Sequence, residues 1–164
     1  MSAMSSFDDA IDATLKHEGG FVNNPNDPGG ATRYGISQRS FPDEDIANLT
    51  LDRAKAIYRK NYWPAIYDKI VHQSIATKLF DTGVNTGMTP AVKILQEALY
   101  ACGDVGIIVD GKFGPRTLAS VNNMEPNGLL FQMRTIQAAY YEHLMDKNPK
   151  LRVFAKGWSR RALS

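Results

Sequence analysis

Two carboxylates near the N-terminus have the types and spacing of a sugar-cleaving pair. Glu18 ends an amphipathic helical pattern just before Gly19 and Gly20, and Asp27 follows in a turn-rich segment. A helix end and a loop can place an acid and a polar partner on opposite walls of a cleft. Because hydrolysis of a glycosidic bond uses that arrangement, the pair predicts a glycoside-cleaving site.

Glu18 occupies the position expected of a proton donor. It falls three residues after Leu15 and seven after Ile11, on the apolar side of the predicted helix. Burial and the negative end of the helix dipole both raise the pKa of a carboxyl group, and a glutamic acid protonated near neutral pH can protonate a leaving sugar oxygen. A partly buried glutamate that binds a backbone amide of the next loop would give the same pattern, so helix geometry leaves that alternative open.

Asp27 and Thr32 are candidates for positioning the attacking water. In a wet loop Asp27 would stay ionised, and it could activate a water or stabilise positive charge at the anomeric carbon. The hydroxyl group of Thr32 could orient that water. Aspartate before Pro-Gly is also a common turn former, and threonine is a common strand residue, so structural roles stay open for both.

Four further residues could contact a sugar, namely Tyr34, Tyr62, Trp63 and Asn85. Flat aromatic rings suit the apolar faces of sugars, although most aromatic residues of a small domain belong to its core. Asn85, at the end of a predicted helix, could hydrogen-bond a sugar amide or the reacting water, and an ordinary helix terminus is the alternative. We predict all four as substrate-binding residues.

Periodicity and capping residues predict a mainly α fold with a small β-hairpin or irregular sheet over residues 21–38. Ser6 and Asp9 form a capping box at the first helix. The predicted helices, in chain order, are Ser6 to Glu18, Thr50 to Tyr62, His72 to Asn85, Thr89 to Gly103, a short one from Pro115, Asn127 to Lys147, and Pro149 to Ala162.

Composition argues for a soluble protein without a metal or cofactor. Of the 164 residues, 43% are hydrophobic and 22% charged, which is ordinary for a globular domain. A net charge of +2 is too small to indicate a nucleic-acid partner, and no apolar run suggests a membrane anchor. The three histidines are scattered without the spacing of metal ligands. We expect a monomer.

The first residues have neither the basic nor the apolar region of a secretory signal. We therefore expect synthesis in the cytoplasm. If the substrate lies in the periplasm or cell wall, a holin or an export system must then release the protein.

The N-terminal motif resembles that of a known family. Glu18-Gly-Gly-Phe followed by Asp27-Pro-Gly-Gly-Ala-Thr32-Arg-Tyr-Gly-Ile is similar to the signature of the family-108 glycoside hydrolases, N-acetylmuramidases found among phage endolysins and secretion-associated muramidases. Phage T4-type lysozymes share the pattern but have five residues between Asp and Thr, where this chain has four. The resemblance implies a lysozyme-like fold of two lobes around a cleft, with Glu18, Asp27 and Thr32 catalytic.

Residues 91–121 resemble the predicted peptidoglycan-binding region that accompanies this family, through Leu95-Gln-Glu-Ala-Leu and Val109-Asp-Gly-Lys-Phe-Gly-Pro-Arg-Thr-Leu. The resemblance implies a catalytic region over residues 1–88 and a helical peptidoglycan-binding-like region over residues 89–164, packed into the same globule. Bacterial peptidoglycan is then the expected partner, cleaved at the β-1,4 bond between N-acetylmuramic acid and N-acetylglucosamine.

Three alternatives stay open because residue chemistry alone does not choose murein over chitin. The first is a non-catalytic wall-binding protein in which the carboxylates are relics. The second is a chitinase- or chitosanase-like hydrolase, and the third is a lytic transglycosylase, which needs only one acid. For the muramidase we predict inversion, which requires the two carboxyl groups to stand about 6.5–9.5 Å apart.

Overall fold

The computed structural model describes residues 5–16, 23 and 30–164, and its regular structure is mainly helical, as predicted. The α-helices are α1 (Phe7–Leu15), α2 (Leu51–Tyr62), α3 (Gln73–Thr86), α4 (Met88–Ala101), α5 (Pro115–Asn123), α6 (Pro126–Lys147) and α7 (Ala155–Leu163). Shorter 3-10 helices span Ile46–Asn48, Ala65–Lys69 and Pro149–Phe154. Within the described residues there are two strands, β1 (Thr32–Arg33) and β2 (Ile36–Ser37).

The predicted hairpin is a two-stranded antiparallel sheet that is fixed onto α2. Thr32 pairs with Ser37 and Arg33 with Ile36, so the turn consists of Tyr34 and Gly35. Both turn residues have positive φ, 50° and 77°, as in the type I′ turns that match strand twist. The hydroxyl group of Tyr58, on α2, donates a hydrogen bond to the Tyr34 carbonyl oxygen at 2.6 Å.

Helices α1 and α3 lie side by side and run in the same direction. At their first turns the backbone N–H of Ser6 donates to Oε1 of Gln73 at 2.6 Å. Eight residues further along each helix, the Thr14 hydroxyl group donates to Oδ1 of Asp81 at 3.0 Å. The C-terminal ends of the two helices are therefore at the same end of the molecule.

Most helix boundaries agree with the sequence within two residues, and three details differ. Ser6 Oγ accepts from the Asp9 amide at 3.3 Å, but the Ser6 amide bonds Gln73, so the reciprocal half of the capping box is not formed. Helix α4 begins at Met88 rather than Thr89. The predicted last helix is divided, because the Asn148 side chain accepts from the Lys150 amide and starts the tighter 3-10 segment before α7.

A single large hydrophobic cluster contains residues from both predicted regions. Ile11, Ile57 and Phe80 come from the first region, and Leu95 and Met133 from the second. A smaller cluster around Tyr141, Met145 and Ala162 joins α6 to α7. The two regions thus bury their apolar surface against each other.

Gln96 holds together the loop whose sequence resembles wall-binding modules. Its side chain is buried, and Nε2 donates to Asp110 Oδ1 (3.0 Å), to the Lys112 carbonyl oxygen (3.1 Å) and to Thr117 Oγ1 (3.2 Å). Its Oε1 accepts from the backbone amides of Asp110 and Gly111. Gly111 has φ +75°, and a Cβ there would lie 2.7 Å from Thr89 Cγ2. The described contacts of this loop are therefore largely structural.

Replacement of Gln96 by leucine should lower the free energy of unfolding by about 2–4 kcal/mol, because one buried and several partly buried hydrogen bonds would be lost. Chemical denaturation measures this. Gln132→Leu on α6 is the matched control, since the Gln132 side chain has no hydrogen bond to the described residues, and it should change stability by less than about 0.5 kcal/mol. Equal effects of the two substitutions would contradict the role assigned to Gln96.

Candidate functional site

The two predicted catalytic carboxylates, Glu18 and Asp27, lie outside the described residues. Before them, the described residues end at Lys16, which follows α1. After them, the continuous description resumes at Gly30, just before β1. Helix α1 and the β-hairpin therefore flank those two positions in the chain.

Thr32 and Tyr34 lie together in the β-hairpin. Thr32 begins β1 and is partly buried, and Tyr34 is partly buried in the turn. The Arg33 guanidinium group lies 5.6 Å from the centre of the Tyr34 ring. A residue other than glycine at positive φ costs about 1–2 kcal/mol, and such conformations are concentrated at functional sites. The hairpin thus presents a strained tyrosine two residues from the predicted catalytic threonine.

Trp63, predicted to bind substrate, is packed in the hydrophobic core. Its side chain is 4% exposed and makes edge contacts with the rings of Phe7, Tyr67 and Phe80, at centroid distances of 5.5–5.8 Å. The indole N–H donates to Asp68 Oδ1 at 2.8 Å. This is the environment of a core residue. A sugar could contact the Trp63 ring only if the ring moved out of the core.

Tyr62 is partly buried at the end of α2, with its ring centre 6.0 Å from that of Tyr58. Tyr58 also bonds the Tyr34 carbonyl oxygen, so Tyr34 and Tyr62 are linked through one side chain. Trp63, by contrast, contacts Phe7 at the first turn of α1. Helix α1 is roughly 13 Å long at 1.5 Å per residue, and in the chain Glu18 follows its other end.

Asn85 lies in the last turn of α3, the helix whose end neighbours the end of α1. Its Oδ1 accepts a hydrogen bond from the Tyr141 hydroxyl group on α6. It also lines a surface pocket of about 300 Å³ that faces α7. The other residues lining this pocket are Val153, Phe154, Gly157, Trp158, Arg160 and Arg161.

A buried cluster of charged groups joins α1, α3 and α7, and sequence analysis did not predict it. Asp81 is 4% exposed and accepts hydrogen bonds from Thr14 Oγ1 (3.0 Å) and from Arg161 Nε (3.1 Å). Lys78, also 4% exposed, donates to the carbonyl oxygens of Arg161 (3.0 Å) and Ala162 (2.7 Å), near the end of α7. The available signal was the presence of Lys78 and Asp81 among the apolar positions of α3.

Burial lowers the pKa of Lys78 from 10.5 to about 8. The carboxylate of Asp81 opposes this shift, and the cations of Arg134 and Arg161 add to it. Since the folded-state pKa is below the unfolded value, the folded protein loses the Lys78 proton first as the pH rises. Between about pH 8 and pH 10.5 the unfolded chain binds more protons, and the Lys78 contribution to stability rises with pH.

Lys78→Met should remove the increase of stability with pH that Lys78 contributes. From pH 7 to pH 9.5 the free energy of unfolding of the parent should increase relative to that of the variant by about 1–2 kcal/mol. Denaturant unfolding at several pH values measures the difference, and Lys60→Met at an exposed position of α2 is the control, whose curve should parallel that of the parent. A constant offset between parent and Lys78→Met would show that Lys78 does not titrate in this range.

A groove on another part of the described surface lies between α4 and α6. It has a volume of about 500 Å³, and its lining combines apolar residues with Thr89, Lys93, Glu97 and His143. None of the predicted catalytic or substrate-binding residues that the structure describes lines it.

In residues 5–16, 23 and 30–164 there is no group of three His, Cys, Asp or Glu side chains that could hold a metal ion. The described helices also include none long and apolar enough to cross a membrane.

Comparison with known families divides the chain where α3 meets α4. Residues 11–87 match the family model described as Glycosyl hydrolase 108, and residues 90–163 match that described as Predicted Peptidoglycan domain. A solved structure, entitled Structure of Brucella abortus SagA, is similar at a TM-score of 0.76 and 28% sequence identity, over 95% of this chain and 88% of that one. No curated protein sequence matches this chain.

Proposed function

Residues 11–87 belong to the glycosyl hydrolase 108 family and residues 90–163 to the predicted peptidoglycan domain family, and on this premise we propose that the protein is an N-acetylmuramidase. The protein is a glycoside hydrolase with a lysozyme-like, mainly α fold, and its two family memberships make it a peptidoglycan hydrolase. The proposal further specifies the bond that is cleaved, which is the β-1,4 linkage from N-acetylmuramic acid to N-acetylglucosamine.

The observation that carries the proposal is the presence of both family segments in one chain with a shared hydrophobic core. A glycoside hydrolase that acts on peptidoglycan cleaves one of its two kinds of glycosidic bond. The resemblance of the motif around Glu18 to muramidases favours the bond that follows N-acetylmuramic acid. Its place of action would be the cell wall, reached through a holin or an export system.

In the proposed mechanism Glu18 protonates the glycosidic oxygen while positive charge develops on the muramoyl ring. Asp27 and Thr32 hold a water against the opposite face of that ring, so that the configuration at the anomeric carbon inverts. Two features support this assignment. Helix α1, which precedes Glu18 in the chain, ends beside the end of α3, and the hairpin that carries Thr32 is anchored to α2 through Tyr34 and Tyr58.

Glu18→Gln keeps the shape of the side chain and removes the proton donor, so hydrolysis of purified murein should fall by about 10²–10⁴-fold with thermal unfolding unchanged. Mass spectrometry of the released muropeptides gives the rate, the bond and the product type together. Glu97→Gln, the same substitution at an exposed position of α4, is the control and should retain activity.

The products of the parent protein separate the alternatives. Fragments ending in reducing N-acetylmuramic acid agree with the proposal, whereas anhydro-muropeptides would identify a lytic transglycosylase. Wall binding that releases neither reducing ends nor anhydro-muropeptides would identify a non-catalytic wall-binding protein. Faster cleavage of chitin or chitosan oligomers than of murein would identify a chitinase- or chitosanase-like hydrolase.

Proton NMR of the first products tests the roles of Asp27 and Thr32. An inverting enzyme that cuts a β bond releases the α anomer first, and release of the β anomer would contradict the proposed water attack. Asp27→Asn should lower the rate by about 10²-fold and Thr32→Ala by about 10-fold. Thr32→Ser keeps the hydroxyl group and should retain most of the activity, whereas equal losses in Thr32→Ala and Thr32→Ser would make Thr32 structural.

A further inference from the structure

Three stacked aromatic rings lead from the interior to the surface where α7 packs on α6. The rings of Tyr141 and Trp158 are 4.8 Å apart with an interplanar angle of 18°, and those of Trp158 and Phe154 are 5.6 Å apart at 26°. Exposure increases outward, from 3% at Tyr141 through a partly buried Trp158 to 52% at Phe154. The outer ring is thus an exposed aromatic surface that is supported from below.

The inner end of this aromatic stack is held in place by hydrogen bonds to α3 and α6. The Tyr141 hydroxyl group accepts from Gln137 Nε2 at 2.9 Å and donates to Asn85. Gln137 is fully buried and itself contacts Thr82 of α3. The position of the stack relative to the end of α3 is therefore set by the fold.

The pocket beside the stack carries positive charge. Arg160 and Arg161 line it, and no acidic side chain does. Arg161 is engaged with Asp81. Arg160 is exposed and forms no ion pair with the residues that the structure describes. An exposed ring, the amide of Asn85 and this guanidinium group combine an apolar surface with a few polar groups, as ligand sites do.

We propose that Phe154, Trp158 and Arg160 form a binding platform for a peptidoglycan strand, which extends from the end of α3 across α7. A sugar ring packs on the exposed aromatic surface, and Arg160 binds a carboxylate of the stem peptide. The identification of the ligand rests on the proposed function. Murein matches this surface because one strand carries both apolar sugar faces and carboxylates. The same surface lies within the segment that belongs to the predicted peptidoglycan domain family.

Sedimentation with purified murein tests the platform, using the full chain with Glu18→Gln so that the polymer is not consumed. Adding Phe154→Ala or Arg160→Gln should weaken binding by about 5-fold each, the factor that corresponds to about 1 kcal/mol. Phe131→Ala, which removes an exposed ring of α6, and Lys156→Gln, which removes an exposed cation of α7, are the matched controls. Both controls should bind within twofold of the parent.

Chitin oligomers separate the two contacts, because they have sugar faces but no carboxylates. Phe154→Ala should weaken binding to both polymers, whereas Arg160→Gln should weaken binding to murein alone, and less so at high salt. Normal murein binding by both variants would overturn the proposal, as would equal losses in the controls. An effect of Phe154→Ala on anionic lipid vesicles but not on murein would also overturn it, in favour of a membrane surface.

Failure of the platform is distinguishable from failure of the muramidase proposal. If the parent binds murein through Phe154 and Arg160 but releases no reducing ends, only the catalytic proposal fails. If the parent cleaves murein while both variants bind it normally, only the platform fails.

Discussion

Asp81 lies between α1 and α7 with almost no exposure, so its carboxylate must be paired inside the protein. Thr14 donates to it from α1, and Arg161 binds it from α7. Loss of one partner of a buried ion pair typically costs about 3–5 kcal/mol, because the remaining charge stays buried and uncompensated. This cluster therefore fixes α7 against α3 and α1, and with α7 it fixes the aromatic stack beside the end of α3.

Apolar packing alone would not give that precision. The large hydrophobic cluster brings the two family segments together, but burial of apolar surface is non-directional and tolerates sliding of one helix along another. The hydrogen bonds from Lys78 to the last carbonyl oxygens of α7, and those linking Thr82, Gln137, Tyr141 and Asn85, are satisfied in a single register. Polar contacts thus determine how the C-terminal segment sits on the N-terminal one.

Local signals explain which parts of the fold could be predicted from sequence. Ser6 and Thr50 cap the N-terminal ends of α1 and α2 as expected. Gly103, with φ +116°, follows the C-terminal end of α4. There the backbone amides of Gly103 and Asp104 donate to the carbonyl oxygens of Tyr100 and Leu99, respectively. Such signals depend only on neighbouring residues. The division of the last helix was missed because a helical stripe does not distinguish a 3-10 segment from an α-helix.

The site was less accessible to sequence because burial depends on distant elements. Trp63 and Phe154 are both aromatic residues near helix ends, yet one is enclosed by Phe7, Tyr67 and Phe80 while the other is half exposed. Lys78 and Asp81 stand among apolar positions of α3, but the sequence does not show their partners, which are about 80 positions away on α7. The Glu18 motif, by contrast, is contiguous, and its resemblance to one family could be recognised from sequence alone.

A shared core changes what wall binding can contribute to hydrolysis. A binding module on a flexible linker raises only the local concentration of substrate. Here the C-terminal segment shares a hydrophobic core with the N-terminal one, so a strand held on the platform would also be held in position relative to the end of α3. Binding energy from sugars remote from the cleaved bond can then orient the reacting ring rather than merely tighten association. On this argument short glycans should lose turnover as well as affinity, because they cannot span from the platform to the cleaved bond.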